Sequence, residues 1–222
     1  MKNVHIYPSL LALKDRREDW NSEIERVYPL STGIHYDIGD GVFVPSTMLN
    51  PDDISLLLES KEQKAKSKEE EVFSQLPIDV HLMVQKPSEY FEKILSFPSV
   101  QAVAFHVECS EDIHETIQAL RNAGKRVGLA ILHTTPADHL DPYLLEIDYV
   151  IVMTVKWGFA GTPFIPEMLP KITEIRHKAP ELQIIVDGGI NRDTLPLCLQ
   201  AGATGAVMSG ALFSWKDTSW LL

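Results

Sequence analysis

Eight short runs rich in valine, isoleucine and other apolar residues recur along this chain of 222 residues. Each run is separated from the next by a stretch that allows a helix, and this alternation limits the fold more than any other feature. The runs predict strands at Val4–Tyr7, Gly33–Ile38, Ile78–Leu82, Val100–Val107, Val127–Leu132, Tyr149–Val155, Gln183–Val186 and Gly205–Met208. Near-continuous apolar character marks strands covered on both faces, as in parallel sheets. Helical spacing is clearest over Arg16–Val27, where Trp20, Ile24 and Val27 share a face. Further helices are expected over Asp52–Leu58, Glu89–Leu95, Asp112–Asn122, Asp138–Glu146, Pro166–Lys178 and Asp193–Gln200. Gly124 and Gly202 stand where a helix closes on a left-handed residue. With no break in composition, the alternation predicts one α/β domain over residues 1–222. Eight such units in so few residues fit a compact (β/α)₈ TIM barrel, with a doubly wound open sheet as the alternative.

Two segments stand outside this rhythm. Residues 50–71 form a long charged insertion, and Lys61–Glu71 within it is nearly all Lys, Glu, Gln, Ser and Ala, the composition of a solvated face. The sequence stops soon after Phe213, so the eighth helix is expected to be short or missing. The net charge of −11 argues against a nucleic-acid surface or docking on an anionic membrane. It leaves room for a small anionic substrate, because a local cradle of backbone N–H groups can oppose the overall field. No apolar run is long enough for a membrane span, and the first residues lack the apolar core of a secretory signal. Cys109 and Cys198 form no pair motif. A cytoplasmic protein is the expectation.

The chemistry-bearing residues gather at strand C-termini. In Gly33-Ile34-His35-Tyr36-Asp37-Ile38-Gly39, strand alternation puts His35 and Asp37 on one face. His81 ends a second run and Asp187 a third. Taken singly, each has an ordinary structural explanation: a buried His–Asp pair, a core histidine, a turn aspartate. A barrel brings strand C-termini to one rim. Two imidazoles and two carboxylates there suit one divalent ion, Zn²⁺ first, with Fe²⁺, Mn²⁺ and Co²⁺ of the same ligand class. His106 ends the fourth strand and is expected to line the cavity, while His5, His114, His139 and His177 carry no assigned chemistry. Glycines follow three successive late strands: Gly158 and Gly161 around Phe159-Ala160, then Gly188-Gly189, then Gly210. Such loops let backbone N–H groups approach a phosphate, and barrels often place that site after strands seven and eight.

Together these motifs resemble the ribulose-phosphate 3-epimerase family. The resemblance runs from Tyr7-Pro8-Ser9-Leu10 to Ser209-Gly210-Ala211-Leu212-Phe213. It is carried by His35-x-Asp37, Asp40-Gly41-x-Phe43-Val44-Pro45, Asp79-Val80-His81-Leu82-Met83, Val152-Met153-Thr154-Val155, Gly158-Phe159-Ala160-Gly161 and Val186-Asp187-Gly188-Gly189-Ile190. The resemblance implies a TIM barrel that inverts C3 of a phosphorylated ketopentose, interconverting D-ribulose 5-phosphate and D-xylulose 5-phosphate, a step of the pentose phosphate pathway. It implies His35, Asp37, His81 and Asp187 as metal ligands and Asp37 and Asp187 as the two acid/base groups. Ser9 is implied as a contact to substrate or an active-site water. His81, Met83 and Met153 would line the sugar. Gly158, Phe159, Ala160, Gly161, Gly188, Gly189, Gly210 and Ala211 would hold the phosphate end. A homo-oligomer is expected.

The chain departs from the family pattern at several points. Gly39 replaces a usual methionine beside the reacting carbons, which predicts a larger or wetter pocket. Trp157, Ala160, Ala211 and the stretch His133-Thr134-Thr135-Pro136 also differ. These keep two other readings open: a 3-epimerase of another ketose phosphate such as allulose 6-phosphate, and a non-catalytic barrel that binds sugar phosphates.

Overall fold

The structure is a computed structural model that describes residues 4–57, 77–156 and 162–214. Eight strands form a single parallel sheet: β1 (His5–Pro8), β2 (Ile34–Gly39), β3 (Ile78–Met83), β4 (Val100–His106), β5 (Arg126–Ile131), β6 (Tyr149–Met153), β7 (Gln183–Asp187) and β8 (Gly205–Met208). Neighbours follow chain order, and β1 pairs with β8. The circle closes between β1 and β2, where Ser9 bridges His35 and the Thr32 N–H donates to the Ile6 carbonyl at 2.8 Å. This is the expected barrel, and the open sheet is excluded.

The α-helices that follow the strands are α1 (Trp20–Val27), α2 (Phe91–Leu95), α3 (Ile113–Asn122), α4 (Met168–Lys178), α5 (Thr194–Ala201) and α6 (Gly210–Ser214), with residues 54–57 also helical. Several start later than the spacing predicts, because a 3₁₀ turn precedes them: Arg17–Asp19 before α1 and Pro87–Tyr90 before α2. The helix expected over Asp138–Glu146 is a 3₁₀ segment, Ala137–Tyr143, with Pro142 inside it. Proline lacks the N–H that an α-helical ladder would need there. Gly124 and Gly202 take φ of +72° and +115°, the closing conformation expected of both. Lys61–Glu71 lies outside the described residues. Of the eighth helix the described part is the five residues of α6. Among the described residues no helix is long and apolar enough to cross a membrane.

Alternation divides each strand between two cores. Outward residues such as Tyr36, Val80, Phe105, Val152 and Ile184 pack against Ile24, Ile94, Ile117 and Ile172 of the helices. Inward residues form a second cluster that includes Ala104, Ala130, Ile151, Ile185 and Val207. Below that cluster the barrel floor is polar. The Tyr149 hydroxyl donates to Asp79 Oδ1 at 2.5 Å, and Gln183 Nε2 donates to the Tyr7 hydroxyl at 3.1 Å. Arg126 covers the Tyr149 ring and donates to Gln183. Gly128 makes room for this plug, since a Cβ there would sit 2.5 Å from the Tyr149 ring. Burial raises the proton affinity of both the Asp79 carboxyl and the Tyr149 hydroxyl.

Candidate functional site

The other end of the barrel carries the chemistry. β2 and β3 run in register, pairing His35 with Asp79, Asp37 with His81 and Gly39 with Met83. Their inward side chains therefore bring His35, Asp37 and His81 together inside the barrel. Asp187 arrives from β7, beside Met153 of β6. His35 Nε2 lies 3.2 Å from Asp37 Oδ1 and 3.7 Å from Asp187 Oδ2. His81 Nδ1 lies 3.4 and 3.6 Å from the same two oxygens. The two ring nitrogens are 3.3 Å apart, and all four donor atoms fall within 4.8 Å of one another. Four ligands arranged tetrahedrally at roughly 2.0–2.2 Å from an ion would be about 3.3–3.6 Å apart. The donor types and these spacings fit a single divalent cation.

Charge balance points the same way. Burial on its own lowers the proton affinity of His35, but the charge and hydrogen bond of Asp37, with Asp187 and Asp79 behind, outweigh it and raise the pKa to about 9. Burial also drives His81 down, and its hydrogen bonds to Asp187 and Asp37 reverse the sign. Asp37 would be raised by burial, yet His35 and His81 hold it well below the usual carboxylate range. The cluster draws positive charge to its centre, and a proton and a metal ion compete for that place.

Asp37 is also fixed from behind. Ser9, the expected contact to substrate or water, is buried, and its hydroxyl donates to Asp37 Oδ2 at 2.6 Å. Ser9 Oγ in turn accepts the Leu11 N–H at 3.2 Å. Oδ1 of Asp37 thus faces the cluster while Oδ2 is anchored. Asp40 locks the following turn: its Oδ1 accepts the N–H groups of Val42 and Phe43, and its Oδ2 accepts that of Gln85 from the loop after β3.

Met83 and Met153 are buried in the inner cluster with Phe43, Leu132 and Val155. The larger pocket expected at Gly39 is corrected by the structure. A Cβ there would meet Val44 Cγ2 at 2.8 Å, Met48 Cγ at 2.9 Å and the Ser46 carbonyl at 3.1 Å. The space left by the missing side chain is filled by the loop after β2.

Beside Asp187 opens a cavity of about 570 Å³ lined by Gly188, Gly189, Gly210 and Ala211, with Ala12 and Phe164 on its sides. Gly188 and Gly189 have φ of +105° and +67°. A Cβ at Gly188 would lie 2.3 Å from Val155 Cγ2, and one at Gly189 would lie 2.7 Å from the Phe164 nitrogen. Both the conformation and the close approach require glycine. Thr154 holds this corner: its N–H donates to the Asp187 carbonyl at 2.7 Å and its hydroxyl to the Gly188 carbonyl at 2.6 Å. Asp187 is thereby shared between the charged cluster and the cavity. Trp157, Gly158, Phe159, Ala160 and Gly161 lie outside the described residues.

Sequence reasoning placed His106 in the cavity and passed over Glu108. In the structure, His106 Nε2 is 3.0 Å from His81 Nε2, and His106 Nδ1 is 3.2 Å from Glu108 Oε2. The signal was available, since His106-x-Glu108 repeats at β4 the spacing of His35-x-Asp37 at β2. Ser9 and Asp37, 28 residues apart, had no such local signal.

Comparison with known proteins agrees with this geometry. The model of the "Ribulose-phosphate 3 epimerase family" matches residues 5–213. The chain is 33% identical over 189 residues to a ribulose-phosphate 3-epimerase of Bacillus subtilis, covering 83% of this chain and 81% of that one. It is 33% identical over 214 residues to the enzyme of the same name from Schizosaccharomyces pombe, covering 96% and 88%. It is 35% identical to a cytoplasmic isoform from Oryza sativa subsp. japonica, covering 86% and 80%. Solved structures extend the likeness to the fold alone. A thiamine phosphate pyrophosphorylase from Pyrococcus furiosus superposes with a TM-score of 0.59 at 15% identity, covering 97% of this chain and 90% of that one. A tryptophan synthase α-subunit of the same organism gives 0.60 at 16%, covering 96% and 90%.

Proposed function

The chain belongs to the ribulose-phosphate 3-epimerase family, and we propose that it interconverts D-ribulose 5-phosphate and D-xylulose 5-phosphate by moving the C3 proton between two carboxylates at a metal-dependent site. The convergence of His35, Asp37, His81 and Asp187 within 4.8 Å carries this reading. A divalent ion bound by these four residues supplies positive charge against the negative charge that develops on the ketose oxygens as the proton leaves. Two imidazoles and two carboxylates favour Zn²⁺, with Fe²⁺, Mn²⁺ and Co²⁺ as alternatives.

The remaining steps belong to the side chains. Inversion needs a base on one face of the sugar and an acid on the other, because one group working alone returns the proton to the face it came from. Asp37 on β2 and Asp187 on β7 enter from different strands and suit these two roles. Each alternates between acid and base as the direction reverses. Ser9 holds Asp37 Oδ2, so the carboxylate swings little between turnovers. Met83, Met153 and Val155 form an apolar wall that keeps water from the carbanion-like centre. The phosphate lies in the glycine-lined cavity, where backbone donors around Gly188–Gly189 and Gly210–Ala211 anchor the sugar and set C3 against the carboxylates. A cytoplasmic location is supported by the rice relative's name and by the free thiols of Cys109 and Cys198.

Solvent deuterium tests the reading. Metal-loaded protein in D₂O should place label at C3 of ribulose 5-phosphate while xylulose 5-phosphate accumulates. Metal-loaded protein that neither exchanges C3 nor forms xylulose 5-phosphate overturns it, and label confined to a hexulose phosphate keeps the chemistry but replaces the sugar.

A further inference from the structure

We propose that Glu108 and His106 are positioning residues for metal capture: Glu108, acting through His106, sets the tautomer and ring plane of His81 so that Nδ1 presents its lone pair to the centre of the four-residue cluster. The inference rests on reading that cluster as a metal site. It assigns a task to two side chains that the two-carboxylate scheme leaves unused.

The argument follows the protons outward. His81 and His106 are both fully buried, so neither ring can turn to water for a partner. Their Nε2 atoms lie 3.0 Å apart, with the ring planes inclined by only 22°. A hydrogen bond between two ring nitrogens needs a hydrogen on one of them and a lone pair on the other. A metal on His81 Nδ1 requires the His81 hydrogen to be on Nε2. His81 is then the donor, and His106 Nε2 must accept. Neutral His106 carries its own hydrogen on Nδ1, which points at Glu108 Oε2 at 3.2 Å. Only an acceptor at that place satisfies the chain, and Glu108 is one. The ligand nitrogen, two imidazoles and a carboxylate thus form a directed series, the arrangement that fixes ring orientation and increases ligand basicity in metal sites.

The far end of the series is anchored. Glu108 Oε1 accepts the Leu132 N–H at 2.9 Å, and the neighbouring Thr135 side chain helps hold the Glu108 carboxyl in its charged form. The loop bearing these two residues is pinned by Lys171 of α4, whose Nζ donates to the carbonyls of Leu132, His133 and Thr135 at 2.8, 3.1 and 2.6 Å. The Phe43 ring, tilted over His106 with centroids 4.8 Å apart, closes the remaining side. Two strands, the loops after β2, β4 and β5, and one helix therefore determine where a single ring nitrogen points.

Two measurements test the proposal without reference to turnover. The first is long-range ¹⁵N–¹H NMR of the histidine rings in metal-loaded wild-type protein. Hydrogen on Nε2 of His81 and on Nδ1 of His106 is expected, and hydrogen on Nε2 of His106 overturns the assignment. The second is titration of metal-free protein with Co²⁺, read by its visible absorption. Glu108→Gln and His106→Phe should each weaken Co²⁺ binding by about 10- to 100-fold and alter the band shape. Adding Glu108→Gln to His106→Phe should cost little more, because the effect passes through the histidine. A purely structural role would lower thermal stability while leaving Co²⁺ affinity within twofold and the spectrum unchanged, which overturns the proposal. Wild-type protein that takes up no Co²⁺ at all overturns the metal site and this assignment together, and uptake with an unaffected Glu108→Gln variant overturns the assignment alone.

Discussion

The barrel interior holds two buried polar groups of residues, one at the floor and one at the rim, and they are built on opposite principles. At the floor, the Asp79 carboxylate meets the Tyr149 hydroxyl, Gln183 meets Tyr7, and Arg126 covers the set. Donors are matched to acceptors and the network is closed. At the rim, two carboxylate oxygens and two imidazole nitrogens converge, each nitrogen 3.2–3.7 Å from each oxygen, with more acceptors than the available hydrogens satisfy. Both regions place an aspartate at an inward-facing strand position, with tyrosine, glutamine and arginine around it at the floor and histidines around it at the rim. Satisfied polar groups stabilise and specify a core, whereas acceptors left converging on a point call for something from outside. Burial of a histidine or an aspartate is thus uninformative by itself; what separates structure from function is whether the partners close the account.

The sharpest way to break this contrast is to remove a carboxylate charge at each end. Asp187→Asn should lower kcat by about 10³-fold or more, since it removes one of the two proposed acid/base groups, while leaving the fold intact. Asp79→Asn should leave kcat within a few-fold. Steady-state rates and thermal melts of both variants decide it, and a floor variant as inactive as the rim variant would erase the distinction.

A pH series on metal-free protein gives the next largest effect. The folded pKa of His35, about 9, exceeds its ordinary value of 6.5. A raised pKa stabilises the fold fully below about pH 6.5, and that stabilisation is lost as pH rises through 9. The loss should be on the order of 3 kcal/mol in urea unfolding at pH 9.5 compared with pH 6. Saturating metal should abolish the trend, because the cation replaces the proton. Uptake of metal at pH 7 should correspondingly release a proton, measurable in weakly buffered solution.

Tyr149→Phe tests the floor in the other direction. It leaves Asp79 without its donor and should cost roughly 1–3 kcal/mol of stability with little change in kcat or metal affinity. Gly39→Met is expected to have a smaller effect, about 1 kcal/mol once Met48 has relaxed, since the new side chain collides with Val44 and Met48. Pairing it with Met48→Ala should recover part of the loss. A Gly39→Met protein as stable as wild type would show that the loop after β2 yields freely.

The fold was legible because buried parallel strands announce themselves as continuous apolar runs, and all eight lie within two residues of where the pattern puts them. Helix starts were less legible: 3₁₀ turns at Arg17–Asp19 and Pro87–Tyr90 share composition with the first turn of an α-helix. At the site, strand alternation alone put His35 and Asp37 on one face. The link from Ser9 to Asp37 depends on closure of the barrel, and the filling of the Gly39 space depends on how the next loop folds back. Neither leaves a trace in local spacing. Asp79 and His81 look alike in sequence, adjacent members of one strand pattern, yet register sends one to the floor and the other to the rim.

The seam between β1 and β2 carries a consequence in time. The Ser9 N–H is bound to Met208 of β8, its backbone bridges His35, and its hydroxyl seats Asp37. During synthesis β1 emerges first and β8 last of the eight strands, so Ser9 gains its final neighbour only after every other strand has been made. A nascent or truncated barrel lacking β8 therefore carries both carboxylates but has not seated the first of them. Under the proposed two-carboxylate scheme, competence for proton transfer would arrive only with topological completion, when the last strand supplies the neighbour that holds Ser9.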